Sequence, residues 1–162
     1  MQYTKIRMNN RRVNNLNNDI NIRAEFFTKL PPQAKEIRQT VFIEEQGFKN
    51  EFDDIDAQAY HLVIFDASDN AAIGTARLFT EGSDKSVYTV GRLSVLKAYR
   101  KHHLGSIMLS YLEEKAHQLG AVKLVLSAQY RVRNFYEKQG YHASGEIYLD
   151  EYCPHIQMEK FL

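Results

Sequence analysis

The sequence predicts one α+β domain, and three observations carry that expectation. Apolar runs in the middle of the chain, "YHLVIFD", "AIGTARLFTE" and "SVYTVGRLSVL", are joined by the short polar links "ASDN" and "EGSDKS", the pattern of antiparallel hairpins. Beyond them lies a strongly periodic helical segment, "LGSIMLSYLEEKAHQLG". Ten tyrosines and nine phenylalanines with no tryptophan further favour several strands. A length of 162 residues suits a single core.

Each element can be justified in order. Residues 1–18 hold four basic residues (Lys5, Arg7, Arg11, Arg12), six asparagines and no acid. They have neither helical nor strand periodicity and are expected to form a flexible basic arm or an extra edge segment, with residues 19–162 as the domain. "INIRAEFF" alternates as a strand. Pro31 and Pro32 open a helix whose buried stripe is Ala34, Ile37, Val41 and Phe42, and Gly47 marks its stop. Residues 44–56 carry six acids (Glu44, Glu45, Glu51, Asp53, Asp54, Asp56) against one lysine and are expected to be a solvated loop outside the core, with recognition of a cationic amine as the alternative.

After the three hairpin strands comes the helix from about Leu104 to Leu119, with Leu104, Ile107, Met108, Tyr111, Leu112 and Leu119 at helical spacing and Gly120 at its end. "AVKLVLSA" reads as a buried strand and "RVRNFYEKQ" as a short helix ending at Gly140. "YHASGEIYL" and "HIQMEKFL" read as two last strands. The predicted order is β-α-β-β-β-α-β-α-β-β.

Composition narrows the function. A net charge of +1 argues against nucleic acid and membrane partners. No apolar run approaches the roughly 20 residues of a membrane helix, and the N-terminus lacks a signal-peptide core, so a cytoplasmic location is expected. The single cysteine, Cys153, excludes an internal disulfide, and the scattered histidines lack metal-ligand spacing, so no metal is expected.

Chemistry concentrates at "YRKHHLGS", Tyr99 to Ser106, a basic turn between an apolar run and the strongest helix. The first amides of a helix have no internal partners and its dipole makes that end slightly positive, which suits a phosphate. Arg100 and Lys101 add charge, and Gly105 admits close backbone approach. An exposed basic turn with ordinary capping has the same local pattern.

The turn resembles the acyl-CoA signature of the GNAT superfamily of N-acetyltransferases, Arg/Gln-x-x-Gly-x-Gly/Ala. Arg100 and Gly105 match; His103 stands at the first glycine, where a positive φ would cost on the order of 1 kcal/mol. "NFYEKQGYHASGE" resembles the family's closing helix-strand unit, "AIGTARL" the strand before its central hairpin, and "GRLSVLKAYR" the approach to the phosphate turn. "VFIEEQG", "EFDDID" and "PHIQMEK" resemble the ElaA/YjcF-like subgroup. The resemblance spans residues 20–162. It implies a GNAT-like fold, a central mixed twisted sheet of about six or seven strands flanked by about three or four helices.

It also implies acetyl-CoA as co-substrate, an amine attacking the thioester directly, and a splayed pair of parallel strands ending at Val95 and near Ala128. The cofactor-binding residues it suggests are Leu93, Ser94, Val95, Arg100, Lys101, His102, His103, Leu104, Gly105, Ser106, Gln129 and Tyr136. Tyr136 is the implied acid for the leaving thiolate, with a core tyrosine as the alternative. The general base stays open between Glu45, Asp54, His61 and His155, with Glu45 following the first helix's apolar face. Arg77 and Arg92, inside apolar strands, are expected to pair with the acidic loop or to meet an anionic acceptor. Cys153 is expected to be inert. The acceptor is a small amine or a protein amino group, and a homodimer is compatible with the strand edges. The rival reading is a catalytically degenerate acyl-CoA-binding regulatory module. Acyl-homoserine-lactone synthesis, on a related fold, finds no matching contacts.

Overall fold

In the computed structural model of the protein, the described residues are 4–8, 11–13 and 20–162. Their elements are β1 (Lys5–Arg7), β2 (Arg11–Val13), β3 (Ile20–Phe27), α1 (Pro32–Arg38), β4 (Tyr60–Asp66), β5 (Ala72–Phe79), β6 (Val87–Val95), α2 (Leu104–Gln118), β7 (Lys123–Gln129), α3 (Arg133–Lys138), β8 (His142–Asp150) and β9 (Cys153–Phe161). A π-helical segment, Gln39–Glu45, extends α1, and short 3-10 turns precede β4, α2 and α3. The strands form one sheet in the order β1-β3-β4-β5-β6-β7-β9-β8, with β2 also on β3. All pairs are antiparallel except β6 with β7.

The seven long strands and three α-helices are those predicted, in the predicted order. Lys5–Arg7 and Arg11–Val13 are short strands on β3, the extra edge segment rather than the flexible arm of the two expectations. Hydrogen-bonding groups along the edge of β3, rather than any side-chain period in the arm, specify them. The rest of the expected arm, apart from Thr4 and Met8, lies outside the described residues.

Alternate residues of β3 and β4 enter opposite clusters. Ile22, Phe26, Leu62 and Ile64 join the main core with the α2 stripe Leu104, Met108, Leu109, Leu112 and Ala116. Phe27, Val63 and Phe65 join Ala34 of α1. A period of two sends neighbouring side chains to opposite faces, so α1 and α2 cover the two sides of the sheet. Each buried leucine or isoleucine contributes about 1.5–3 kcal/mol. Helix α2 comes closest at Gly74, where a Cβ would lie 3.0 Å from Met108 Sδ.

The acidic segment corrects the expectation of a solvated loop. Glu51 and Asp56 are only 4% and 7% exposed, and Arg38 of α1 is 1% exposed. Arg38 Nε donates to Glu51 Oε1 at 2.8 Å, while its Nη1 and Nη2 donate to Asp56 Oδ1 and Oδ2 at 2.7 and 3.1 Å. Arg77 Nη1 and Nη2 donate to Asp53 Oδ1 and Oδ2 at 2.6 and 2.9 Å, and Nη1 also reaches Asp56 Oδ1 at 2.9 Å. Arg92 Nη2 donates to the Glu51 carbonyl at 3.0 Å, and its Nε lies 3.0 Å from Glu51 Oε1. Three guanidiniums thus face three carboxylates, which is why a segment so acidic can be buried. Of the two expectations for Arg77 and Arg92, the tie between acidic loop and sheet is the one observed.

This network sets two predictions. Arg38→Leu leaves Glu51 and Asp56 buried without their main partner and should lower the unfolding free energy by about 3–5 kcal/mol in urea titrations; an unchanged midpoint would contradict the network's role. The second concerns pH. The hydrogen bond from Arg77 holds Asp53 below its ordinary value of 3.8. Burial raises Asp56, but Arg38 and Arg77 outweigh it and the net shift is downward. Both contributions are complete above 3.8 and are lost as pH falls through the folded values. Burial pushes Glu51 above 4.5, so its opposite effect appears at higher pH. Acid unfolding should therefore steepen below 3.8, and Asp53→Asn should flatten that limb.

Candidate active site

Strands β6 and β7 pair over only four positions, Val87↔Lys123 to Val90↔Leu126. Beyond Leu126, β7 follows β9 to the Gln129↔His155 pair. Strand β6 instead stays with β5 and carries an extra residue between the Arg77↔Gly91 and Thr75↔Ser94 pairs. Arg92 sits in this bulge at φ 55°, a left-handed conformation that costs roughly 1–2 kcal/mol for a non-glycine residue. Its guanidinium contacts with Glu51 and Asp53 oppose that cost. The bulge turns β6 away from β7 and leaves Gly91–Val95 without a strand partner on that side.

The opening forms a cleft of about 330 Å³. Leu93, Ser94 and Val95 line one wall, Leu126, Ser127 and Gln129 the other. Tyr136 of α3 lines the same space. Its ring meets Phe135 and Tyr141 edge-on, at centroid distances of 5.0 and 6.0 Å. Burial pushes its hydroxyl well above the ordinary tyrosine range, so the group stays protonated. That hydroxyl makes no hydrogen bond among the described residues, whose side-chain bonds leave it free for a ligand.

At one end of the cleft the chain enters the basic turn. Lys101 and His103 are both left-handed, at φ 74° and 55°. His103 is the N-cap of α2 and gives the helix no side-chain cap, so the histidine adopts the conformation expected of the missing glycine. A Cβ at Gly105 would lie 2.9 Å from Phe135 Cζ, so the glycine serves the close approach of α2 to α3. Arg100 lines the cleft, its Nε donating to the Val95 carbonyl at 3.0 Å.

The other walls come from the segment after α1 and from the β8–β9 turn. Glu151 accepts from the amides of Lys49 and Asn50 at 3.0 and 3.2 Å, and the Tyr152 hydroxyl donates to the Gln46 carbonyl. Gln129 Nε2 donates to Gln46 Oε1 at 2.8 Å. His155 lines the cleft between Phe48 and Tyr148.

Of the residues suggested by sequence, Leu93, Ser94, Val95, Arg100, Gln129 and Tyr136 meet around this cleft. Lys101 to Ser106 form the adjoining turn and helix start. Glu45 does not line it: Arg100 Nη1 and Nη2 donate to its two oxygens at 2.5 and 2.7 Å, and this pair holds its carboxyl below the usual range. His61 is buried with Nε2 2.9 Å from the Asp56 carbonyl, and Asp54 is exposed away from the cleft. Burial raises the Cys153 thiol. Sequence reading missed Gln46, Phe48 and Glu151 as cleft residues; Glu51 was noted only as one of six loop acids.

A splayed parallel pair beside an uncapped basic helix start defines an acyl-CoA transferase domain of the GNAT type. The family model described as acetyltransferase (GNAT) domain matches residues 28–162, and the chain belongs to this family. It is 34% identical over 133 residues to the uncharacterized protein YyaT of Bacillus subtilis, covering 79% of this chain and 86% of that one. The uncharacterized N-acetyltransferase YjcF of the same organism is 33% identical over 127 residues, 76% and 87% of the two chains. The crystal structure of Escherichia coli ElaA superposes with a TM-score of 0.76 at 23% identity, covering 86% of this chain and 99% of that one.

Gly105→Ala should lower the unfolding free energy by about 1–3 kcal/mol through overpacking. Phe135→Leu in the same chain should recover part of it in urea titrations; a neutral Gly105→Ala would contradict the contact.

Proposed function

We propose that the protein transfers an acetyl group from acetyl-CoA to a primary amine by direct attack of the amine on the thioester. The observation that carries this reading is the unpaired Gly91–Val95 edge of β6, beside an accessible tyrosine hydroxyl and an uncapped helix start. Pantetheine lies along that edge as an added strand would, with backbone contacts at Leu93 and Val95 and side-chain contacts at Ser94 and Gln129. The amides from Lys101 to Ser106 receive the pyrophosphate, with Arg100, Lys101, His102 and His103 around it. The left-handed His103 supports a turn formed without glycine, which favours the transferase over a degenerate binding module.

The amine nitrogen forms a bond to the carbonyl carbon, and an amide of the β6 edge stabilises the developing oxyanion. The adduct then breaks its C–S bond. Tyr136 donates a hydrogen bond to the departing sulfur; its raised proton affinity suits it to remain a donor rather than to ionise. The second nitrogen proton ends on sulfur, giving the amide and free CoA.

Calorimetry with acetyl-CoA, and with desulfo-CoA and adenosine as controls, tests the binding, and thiol release over a panel of primary amines tests the transfer. Phosphate-dependent binding with thiol release is expected. No binding at millimolar acetyl-CoA would overturn the reading, and binding without turnover of any amine would leave only a binding module. Tyr136→Phe should lower kcat by about 10–100-fold, the worth of one hydrogen bond to a charged group, with acetyl-CoA affinity within about twofold. Equal kcat would remove Tyr136 from the chemistry.

A further inference from the structure

We propose that His155 is the general base that takes the proton from the acceptor ammonium. This rests on the acetyl-transfer reading above. An amine reaching the site as ammonium must lose one proton before its lone pair can attack. The base therefore needs an unengaged basic atom in the cleft.

Most carboxylates around the cleft are already engaged. Both oxygens of Glu45 hold Arg100. Glu51 lines the cleft, but its Oε1 is tied to both Arg38 and Arg92, and protonating the carboxylate would cost both ion pairs. Glu151 accepts from two backbone amides through both oxygens. Asp150 sits at the exposed rim, open to solvent.

His155 is different. Its Nδ1 lies 2.9 Å from the Cys153 carbonyl. A carbonyl only accepts, so Nδ1 carries the proton and the lone pair of the neutral ring is on Nε2. Nε2 has no hydrogen-bond partner among the described residues, and it is not among the sealed, unsatisfied atoms. The residue is only 6% exposed, yet it lines the cleft, so this small surface faces the acceptor side.

The sheet register places it. Tyr148, His155 and Gln129 pair across β8, β9 and β7, and paired residues project from the same face. Tyr148 stacks on the imidazole at 6.1 Å and Phe48 meets it edge-on at 6.5 Å. These contacts fix the ring in the cleft wall, with Nδ1 on the Cys153 carbonyl. The proton passes from the ammonium to Nε2, directly or through one water, and then to solvent. Glu51, Asp150, Glu151 and Tyr136 are the titratable groups sharing the cleft, and Arg92, Arg100 and Arg131 are its cations.

The test is His155→Gln in the full chain, assayed with an amine the wild type acetylates. We expect kcat/KM at neutral pH to fall about 100-fold or more, with acetyl-CoA affinity within about twofold. The acid limb set by the imidazole should be replaced by a rate that rises with the fraction of free amine up to the amine's own ionisation. Imidazole should restore activity to His155→Ala. A His155→Gln enzyme with wild-type rate and pH profile would overturn the assignment, as would an alanine variant that imidazole does not rescue. Independently of any variant, the His155 resonance of the wild type should titrate with the acid limb of kcat/KM, and a resonance that titrates apart from it also overturns the assignment. Wild type that acetylates no amine would overturn the transferase reading itself, and this proposal with it.

Discussion

The parting of β6 from β7 after Val90 and Leu126 is the constraint on which the rest of the molecule depends. A parallel pair that continued would satisfy its own backbone groups and close the sheet. One extra residue in β6, with Arg92 in a left-handed conformation, prevents that. The polar backbone left open there needs partners, and a ligand can provide them. The cleft, the reach of α3 into it and the approach to the basic turn all follow from this one irregularity.

A strained bulge persists only where its surroundings hold it. Here Arg92 is gripped by the Glu51 carbonyl and carboxylate and by Asp53. Arg38 and Arg77 anchor the same acids from α1 and β5. The charges balance across the six side chains, so the network is buried without leaving a net charge behind. It joins one helix, two strands and the segment after α1 into a single wall of the site. Such a network is a costly means of gaining stability, and its contribution here is geometric: it holds the bulge and the cleft wall in register.

The two ends of the cleft differ in character. Towards α2 it is cationic, with Arg100 and Lys101 beside uncapped amides, although Arg100 is also restrained by Glu45. Towards β8 and β9 it mixes acids, arginines and one oriented imidazole. An anionic donor and an ammonium acceptor can thus enter a common cleft from different sides. Tyr136, protonated and without a partner among the described residues, lines the same cleft.

The elements themselves were legible from periodicity and punctuation. The helix at Leu104–Gln118, the short helix ending before Gly140 and the seven long strands follow from local rules that tertiary contacts do not overturn. The basic turn, Tyr136 and the unusual histidine at position 103 were legible too, through motif spacing. What the sequence could not disclose was pairing at a distance. The tie of Arg77 and Arg92 to the acidic loop was open to sequence reading, but Glu51 and Asp56 read as solvated acids because nothing local announces that Arg38 of α1 joins them and makes their burial tolerable. Glu45 reads as a free carboxylate until Arg100, 55 positions away, closes on it. His155 is one of four undistinguished candidates for the base until β9 inserts between β7 and β8 and sets its ring between two aromatics. Local structure is governed by neighbours along the chain; the protonation and availability of a side chain are governed by neighbours in space, and only the folded sheet brings those together.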